Sequence, residues 1–285
     1  MREKSFEVLD YIVHIFRNDS YLLAKINNRK SQQKTIAFTV DPDPRIISGD
    51  VAAVGQFKHQ VVNRFVVGGG RNLFCGGSLI CDNWVLTAAH CAQDATKFTL
   101  YFGSVNQSQA VEPGRIVVTA TEHYVHPGYD TWNLNNDIAL VRLSERVQYT
   151  DRIQPITLAT HRTGAGQRLT VSGWGRTSQS SGLSPVLRYV ALDTISNEDC
   201  KRVYGPDVVV NATLCCKGRP EHSTCNGDSG GPLIEWVTDR WVLAGVVSFV
   251  HIDGCASGNP SGYVRVENYL DWIRNTIAGT CTLPN

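Results

Sequence analysis

Three short stretches hold side chains that can cooperate in nucleophilic chemistry. "LTAAHC" places His90 beside Cys91, "NNDIALVRL" carries Asp137 into an apolar run, and "CNGDSGGPL" sets Ser229 between Asp228 and Gly230. Each alone reads as an ordinary structural residue. Together they supply a hydroxyl, an imidazole and a carboxylate, far apart along the chain. A serine hydroxyl is a poor nucleophile near neutral pH. It needs a base within hydrogen-bond reach, and the base needs a group that fixes its orientation. The eight histidines form no HExxH or other close metal-binding pair, so zinc chemistry is not expected.

The surrounding sequence shows what has to position these groups. Of the 285 residues 42% are hydrophobic and 19% charged, with a net charge of +1. That balance supports a sizeable core and gives no electrostatic case for nucleic acid or an anionic membrane. No run approaches the roughly 18 apolar residues of a spanning helix. From residue 46 onward, short β-like runs alternate with turn clusters, among them "KFTLYFGS", "GRIVVTATEHYV", "QRLTVSGWG" and "WVLAGVVSFV". Gly-Gly, Pro-Gly and Asn-Pro pairs punctuate them. Only the C-terminal stretch reads as a helix, about residues 266–278, with Val266, Tyr269, Leu270, Ile273 and Ile277 on one face and Gly279 as its stop. The pattern is all-β with a terminal helix.

Nine cysteines without a CxxC point to disulfides formed in an oxidising compartment, with at least one thiol left over. Asn106 and Asn211 open glycosylation sequons. Residues 1–45 show no secretory signal, because Asp10 and His14 interrupt the apolar run. They read as a leader, with Phe6, Leu9, Val13 and Phe16 near one face of a short amphipathic helix.

The segments "RIISG", "CGGSLI", "WVLTAAHC", "DIALVRL", "SGWG" and "CNGDSGGPL" resemble the chymotrypsin-like serine proteases, from residue 46 to about 280. "GVVSFV", "GQF" and "YTDRIQPI" are similar to the arthropod brachyurin and hypodermin group; the "SFV" stretch is similar to elastase-like members, and Ser223 to the serine of chymotrypsin-like members. The resemblance implies two antiparallel Greek-key six-stranded β-barrels, about 46–155 and 156–265, with the site between them. It implies His90 as base, Asp137 as its orienting group, Ser248 as support for Asp137, and the backbone N–H groups of Gly227 and Ser229 as donors to the oxyanion. It implies a zymogen cut at Arg45–Ile46, whose new amino group pairs with Asp228. The primary pocket would have Ser223 as its floor and Val250 and Ser261 as its walls. Without an acid there, a basic substrate side chain would be desolvated unpaired, so cleavage is expected after uncharged apolar residues.

The same resemblance implies disulfides Cys75–Cys91 and Cys225–Cys255, and pairs Cys200 with Cys215 or its neighbour Cys216. Cys81 and Cys281 remain as a candidate bridge to the terminal helix. Ser104 replaces the acid of the family's calcium loop, and no cofactor or metal is expected. The expected partners of a secreted monomeric endopeptidase are protein or peptide substrates, an activating trypsin-like protease and protein inhibitors. Two other readings are a catalytically silent homologue acting as an adaptor and a narrow-specificity cascade protease; the neutral pocket favours a digestive role.

Overall fold

The computed structural model of the chain describes residues 49–178, 180–218 and 223–284. Arg45 and Ile46, and the leader before them, lie outside the described residues. The first half holds strands β1 (Asp50–Val51), β2 (Gln60–Val67), β3 (Arg71–Cys81), β4 (Trp84–Thr87), β5 (Ala95–Phe102), β6 (Ile116–Ala120), β7 (His123–Val125) and β8 (Ala139–Arg142). The second holds β9 (Thr157–Leu158), β10 (Arg168–Gly173), β11 (Arg188–Ile195), β12 (Thr213–Lys217), β13 (Pro232–Val237), β14 (Arg240–Phe249) and β15 (Ser261–Arg265). Helix α1 spans Asn197–Tyr204 and α2 spans Leu270–Ile277.

The strands form where apolar residues alternate. In β5, Phe98, Leu100 and Phe102 are buried while Thr99 and Tyr101 between them are half-buried, the two-residue period of a sheet with one face on a core. One sheet runs β6-β5-β2-β3-β4-β8-β7. In the other, β10, β13, β14, β15, β12 and β11 close into a ring of six, because β11 pairs with both β10 and β12. Two short strands attach to it, β1 antiparallel on β11 and β9 parallel on β14. The architecture is the expected pair of antiparallel β-barrels with a C-terminal helix. The second sheet's eight strands are this ring of six plus the two short additions; the first sheet has seven strands, and among the described residues its end strands β6 and β7 do not pair, so it is a half-barrel.

The two halves are strapped together in a way the simple division at residue 155 misses. The first described strand, β1, lies on the second sheet, and the chain then enters the first. At the other end, a 3₁₀ turn at Val266–Tyr269 leads into α2, and Val266, Tyr269, Ile273 and Ile277 join the same core as Trp84 and Leu86. Trp84 Nε1 donates to Thr280 Oγ1 at 2.7 Å, and the Cys81–Cys281 disulfide fixes the same end to β3. Between the barrels, Ser172 Oγ on β10 donates to Gln60 Oε1 on β2 at 2.6 Å. Gly76 and Gly231 are one place where the backbones of the two halves approach closely. A Cβ on Gly76 would sit 2.8 Å from the Gly231 Cα, so the pairs Gly76-Gly77 and Gly230-Gly231 meet there.

α1 was not expected from the sequence. Its N-cap is Ser196, whose side chain accepts from Asp199 N at 3.0 Å and donates to Asp199 Oδ2, an arrangement that satisfies an otherwise unpaired helical N–H. The Cys200–Cys215 bridge anchors α1 to β12.

The strap at Cys281 closes a loop spanning 200 residues of sequence. Cys281→Ser should lower unfolding free energy by about 2–4 kcal/mol, read from the denaturation midpoint in urea. An unchanged midpoint would show that α2 docks by packing alone.

Candidate active site

Each functional side chain is held by a different local device. His90 lies in a 3₁₀ turn, Ala89–Cys91, just after β4, and the Cys75–Cys91 disulfide ties that turn to β3. Asp137 directly precedes the residues of β8, after Asn136 in a left-handed conformation (φ 56°). Tyr269 OH donates to Asn136 Oδ1 at 2.9 Å, so the C-terminal strap also steadies this bend. Ser248 comes from β14, and Ser229 from the loop between the Cys225–Cys255 disulfide and β13.

These elements converge on the Asp137 carboxylate, which is fully buried. Oδ1 accepts from the His90 backbone N–H at 2.9 Å. Oδ2 accepts from Ser248 Oγ at 2.6 Å and lies 2.8 Å from His90 Nδ1. A carboxylate only accepts, so the hydrogen between the ring and Oδ2 belongs to Nδ1. Nε2 is then the ring's accepting nitrogen. His90 and Ser229 line one cavity of about 540 Å³ at the junction of the two barrels.

The Ser229 loop is shaped by hydrogen bonds and by two glycines with positive φ, Gly227 and Gly230. Gly76 N donates to Ser229 O at 2.8 Å, and Gly230 N to Val247 O at 2.8 Å. Gly227 has φ +99°, and a Cβ there would fall 2.3 Å from Leu183 Cδ2, so only glycine fits. Asp228 is fully buried. Its carboxylate accepts from Gly175 N at 2.8 Å and from Cys225 N at 2.9 Å. Burial pushes its carboxyl up to about 6, the two backbone N–H bonds acting in the opposite direction.

Not every residue singled out in the sequence reaches the cavity. His90, Gly227, Ser229, Ser248 and Val250 line it, and Val250 packs against the Cys225–Cys255 bridge. Ser223 and Ser261, expected as floor and wall, are not part of its lining. They are only 7% and 2% exposed, and Ser261 Oγ bonds Tyr263 OH at 2.9 Å. Val247, Phe249, Leu134, Phe65, Leu73 and Phe74 supply apolar wall instead. The expected wall residue Val250 leads to its neighbours Val247 and Phe249. Nothing in the local pattern marks Leu134, whose left-handed backbone (φ 55°) turns it toward the cleft.

Ser104 Oγ donates to Glu112, whose other oxygen accepts from Val105 N and Asn106 N. This carboxylate therefore closes its own loop. His90 and the sulfurs of Cys75 and Cys91 lie within 4.8 Å of one another, but the sulfurs are bonded to each other and offer no thiolate pair. Cys216, free and buried, has its thiol pushed well above the usual range by burial.

Comparison with known proteins agrees with this geometry. The Trypsin family model matches residues 46–273. The chain is 39% identical over 242 residues to the collagenase of Hypoderma lineatum, covering 81% of this chain and 86% of that protein. It is 39% identical over 202 residues to brachyurin of Leptuca pugilator, covering 70% and 86%. The solved structure of HL collagenase superposes with a TM-score of 0.72 at 37% identity, covering 81% of this chain and 98% of that one. The chain belongs to the trypsin family of serine proteases.

The Asp137 contact predicts a spectroscopic signature. The His90 Nδ1 proton should give a low-field ¹H NMR resonance that survives Ser229→Ala and disappears in Asp137→Ala. Its persistence in Asp137→Ala would show that another group orients the ring.

Proposed function

We propose that this protein is a secreted zymogen of an endopeptidase in which Ser229 attacks the peptide carbonyl. The observation that carries the reading is the buried Asp137 carboxylate 2.8 Å from His90 Nδ1, with His90 and Ser229 on one cavity. His90 Nε2 takes the Ser229 proton as Oγ bonds to the carbonyl carbon. The carbonyl oxygen gains the negative charge, and the N–H groups of Gly227 and Ser229 receive it. The C–N bond then breaks as His90 passes its proton to the leaving amine. Water repeats the sequence on the acyl-enzyme and releases the acid. Asp137 holds the ring and balances the imidazolium formed in each half.

The cavity favours uncharged apolar side chains. Val247, Phe249 and Val250 line it, and among the described residues its only acidic lining residue is Asp253. That carboxylate is 69% exposed and lies 3.3 Å from His251 Nδ1, so it does not offer a buried counter-ion for Lys or Arg. Cleavage of the protein after Arg45 with a trypsin-like protease, followed by a fluorophosphonate probe, tests the reading. Ser229 should be labelled in the cleaved form and unlabelled in Ser229→Ala. An unreactive cleaved protein would make it an adaptor. A peptide library should show cleavage after Leu, Met, Phe or similar residues; a profile dominated by Lys and Arg would overturn the pocket assignment.

Activation has a pH consequence. The Asp228 carboxyl in the fold is raised to about 6, above an ordinary value near 4. The fold therefore favours its neutral form. That contribution is complete below about pH 4 and is lost as pH climbs through about 6. The Ile46 ammonium released by cleavage would offset the buried charge above that range. Between pH 4 and 7 the uncleaved chain should lose on the order of 3 kcal/mol relative to Asp228→Asn, and the cleaved chain should not. Thermal unfolding across that range tests this; parallel profiles for cleaved and uncleaved protein would contradict the pairing.

A further inference from the structure

A second cavity, of about 230 Å³, opens on the outer face of the first sheet, and two of its lining residues are Arg64 and Arg115. Both guanidinium groups lie over the same ring. The Arg64 carbon is 5.7 Å and the Arg115 carbon 5.2 Å from the Tyr101 centroid. Arg64 donates to Gln107 Oε1 at 2.6 Å, and Arg115 to Gln109 O at 2.8 Å. The Arg115 side chain is only 7% exposed, and its nearest acid, Glu112, stands 3.9 Å away. That carboxylate already accepts from Ser104, Val105 and Asn106. Two like charges share one aromatic face with a single ion-paired carboxylate, Glu112, that three other donors already engage, so the pair keeps an excess of positive charge. The neighbouring strands add to this. β2, β3, β5 and β6 carry Arg64, Arg71 and Lys97 and no acidic residue.

Phe74 stands between this site and the catalytic cavity. Arg64 pairs across the ladder with Phe74, and its guanidinium lies 5.9 Å from the Phe74 ring centroid. Phe74 also lines the catalytic cavity, beside the Cys75–Cys91 bridge that holds His90. His90 hands its proton to the leaving amine, so the departing half of a substrate passes on the His90 side and over Phe74. Tyr101 stands two strands further across the sheet. At roughly 4.8 Å per strand and 3.4 Å per extended residue, that is about three residues further along the substrate.

We propose that this face is a subsite for acidic residues on the leaving-group side of the scissile bond, with Arg64 and Arg115 as specificity determinants. It rests on the protease reading above and names a substrate class for the same site. The test uses the cleaved enzyme and two peptides, identical up to the second residue past the scissile bond. They carry either three Asp or three Lys at the next positions. A small activated ester with no peptide leaving group serves as control.

The acidic peptide should be preferred by about 3- to 20-fold in kcat/KM at low salt, mainly through KM, with the preference shrinking in 0.5 M NaCl. Arg64→Gln should weaken it and Arg64→Glu should reverse it, while the ester is hydrolysed equally by all three proteins. A preference that survives Arg64→Glu, or no preference at all, would overturn the proposal. So would equal inhibition of both peptides by a sulfated polysaccharide without discrimination between them, which would make the face a polyanion site. Failure to hydrolyse the ester would overturn the protease reading itself.

Discussion

A buried carboxylate is costly unless several donors surround it, and the Asp137 carboxylate has donors from both halves of the molecule. The His90 main chain and ring come from the turn after β4, and Ser248 comes from β14. Neither barrel alone could satisfy this group. Much of the remaining structure holds those three donors in place. The Cys75–Cys91 bridge fixes the His90 turn, the Gly76–Gly231 contact lets the barrels approach, and the C-terminal strap reaches the Asp137 bend through Tyr269.

A second buried carboxylate governs the opposite wall of the cleft. Asp228 gathers two backbone N–H groups, from Gly175 and Cys225, and so sets the path of the loop that presents Gly227 and Ser229. The contrast between the two acids is informative. Asp137 receives two backbone or hydroxyl donors and the imidazole; among the described residues Asp228 has two amides against complete burial, and burial raises its proton affinity. An acid left in that condition is suited to receive a cation, and this is the physical basis for proposing that processing at Arg45 completes the site.

What the sequence made legible followed from local chemistry. Alternating apolar residues marked the strands, and the spacing of Tyr269, Ile273 and Ile277 marked the terminal helix. What it hid were long-range partnerships. Two residues of β1 give no hint that they belong to the far sheet. α1 was missed because a single Ser196 cap and a mostly polar eight-residue segment leave almost no apolar stripe. Its cap, Ser196 with Asp199, was the available signal. Likeness to relatives put Ser223 at the pocket floor and Ser261 in its wall; both are buried, the Ser261 hydroxyl bonds Tyr263, and neither borders the cavity beside His90. Arg64 and Arg115 are unremarkable as separate letters; they become a feature only when β2 and the turn before β6 set both over Tyr101.

The most direct test of the account is the rate of acylation at Ser229 in the cleaved protein carrying Asp137→Asn. An amide in that place keeps the volume but offers a donor where Nδ1 needs an acceptor, so the ring settles in the wrong tautomer. Acylation should slow by about 10⁴-fold, with the thermal midpoint little changed. A rate within a few-fold of the unaltered protein would mean that the buried carboxylate does not govern His90, and the catalytic assignment would fail with it.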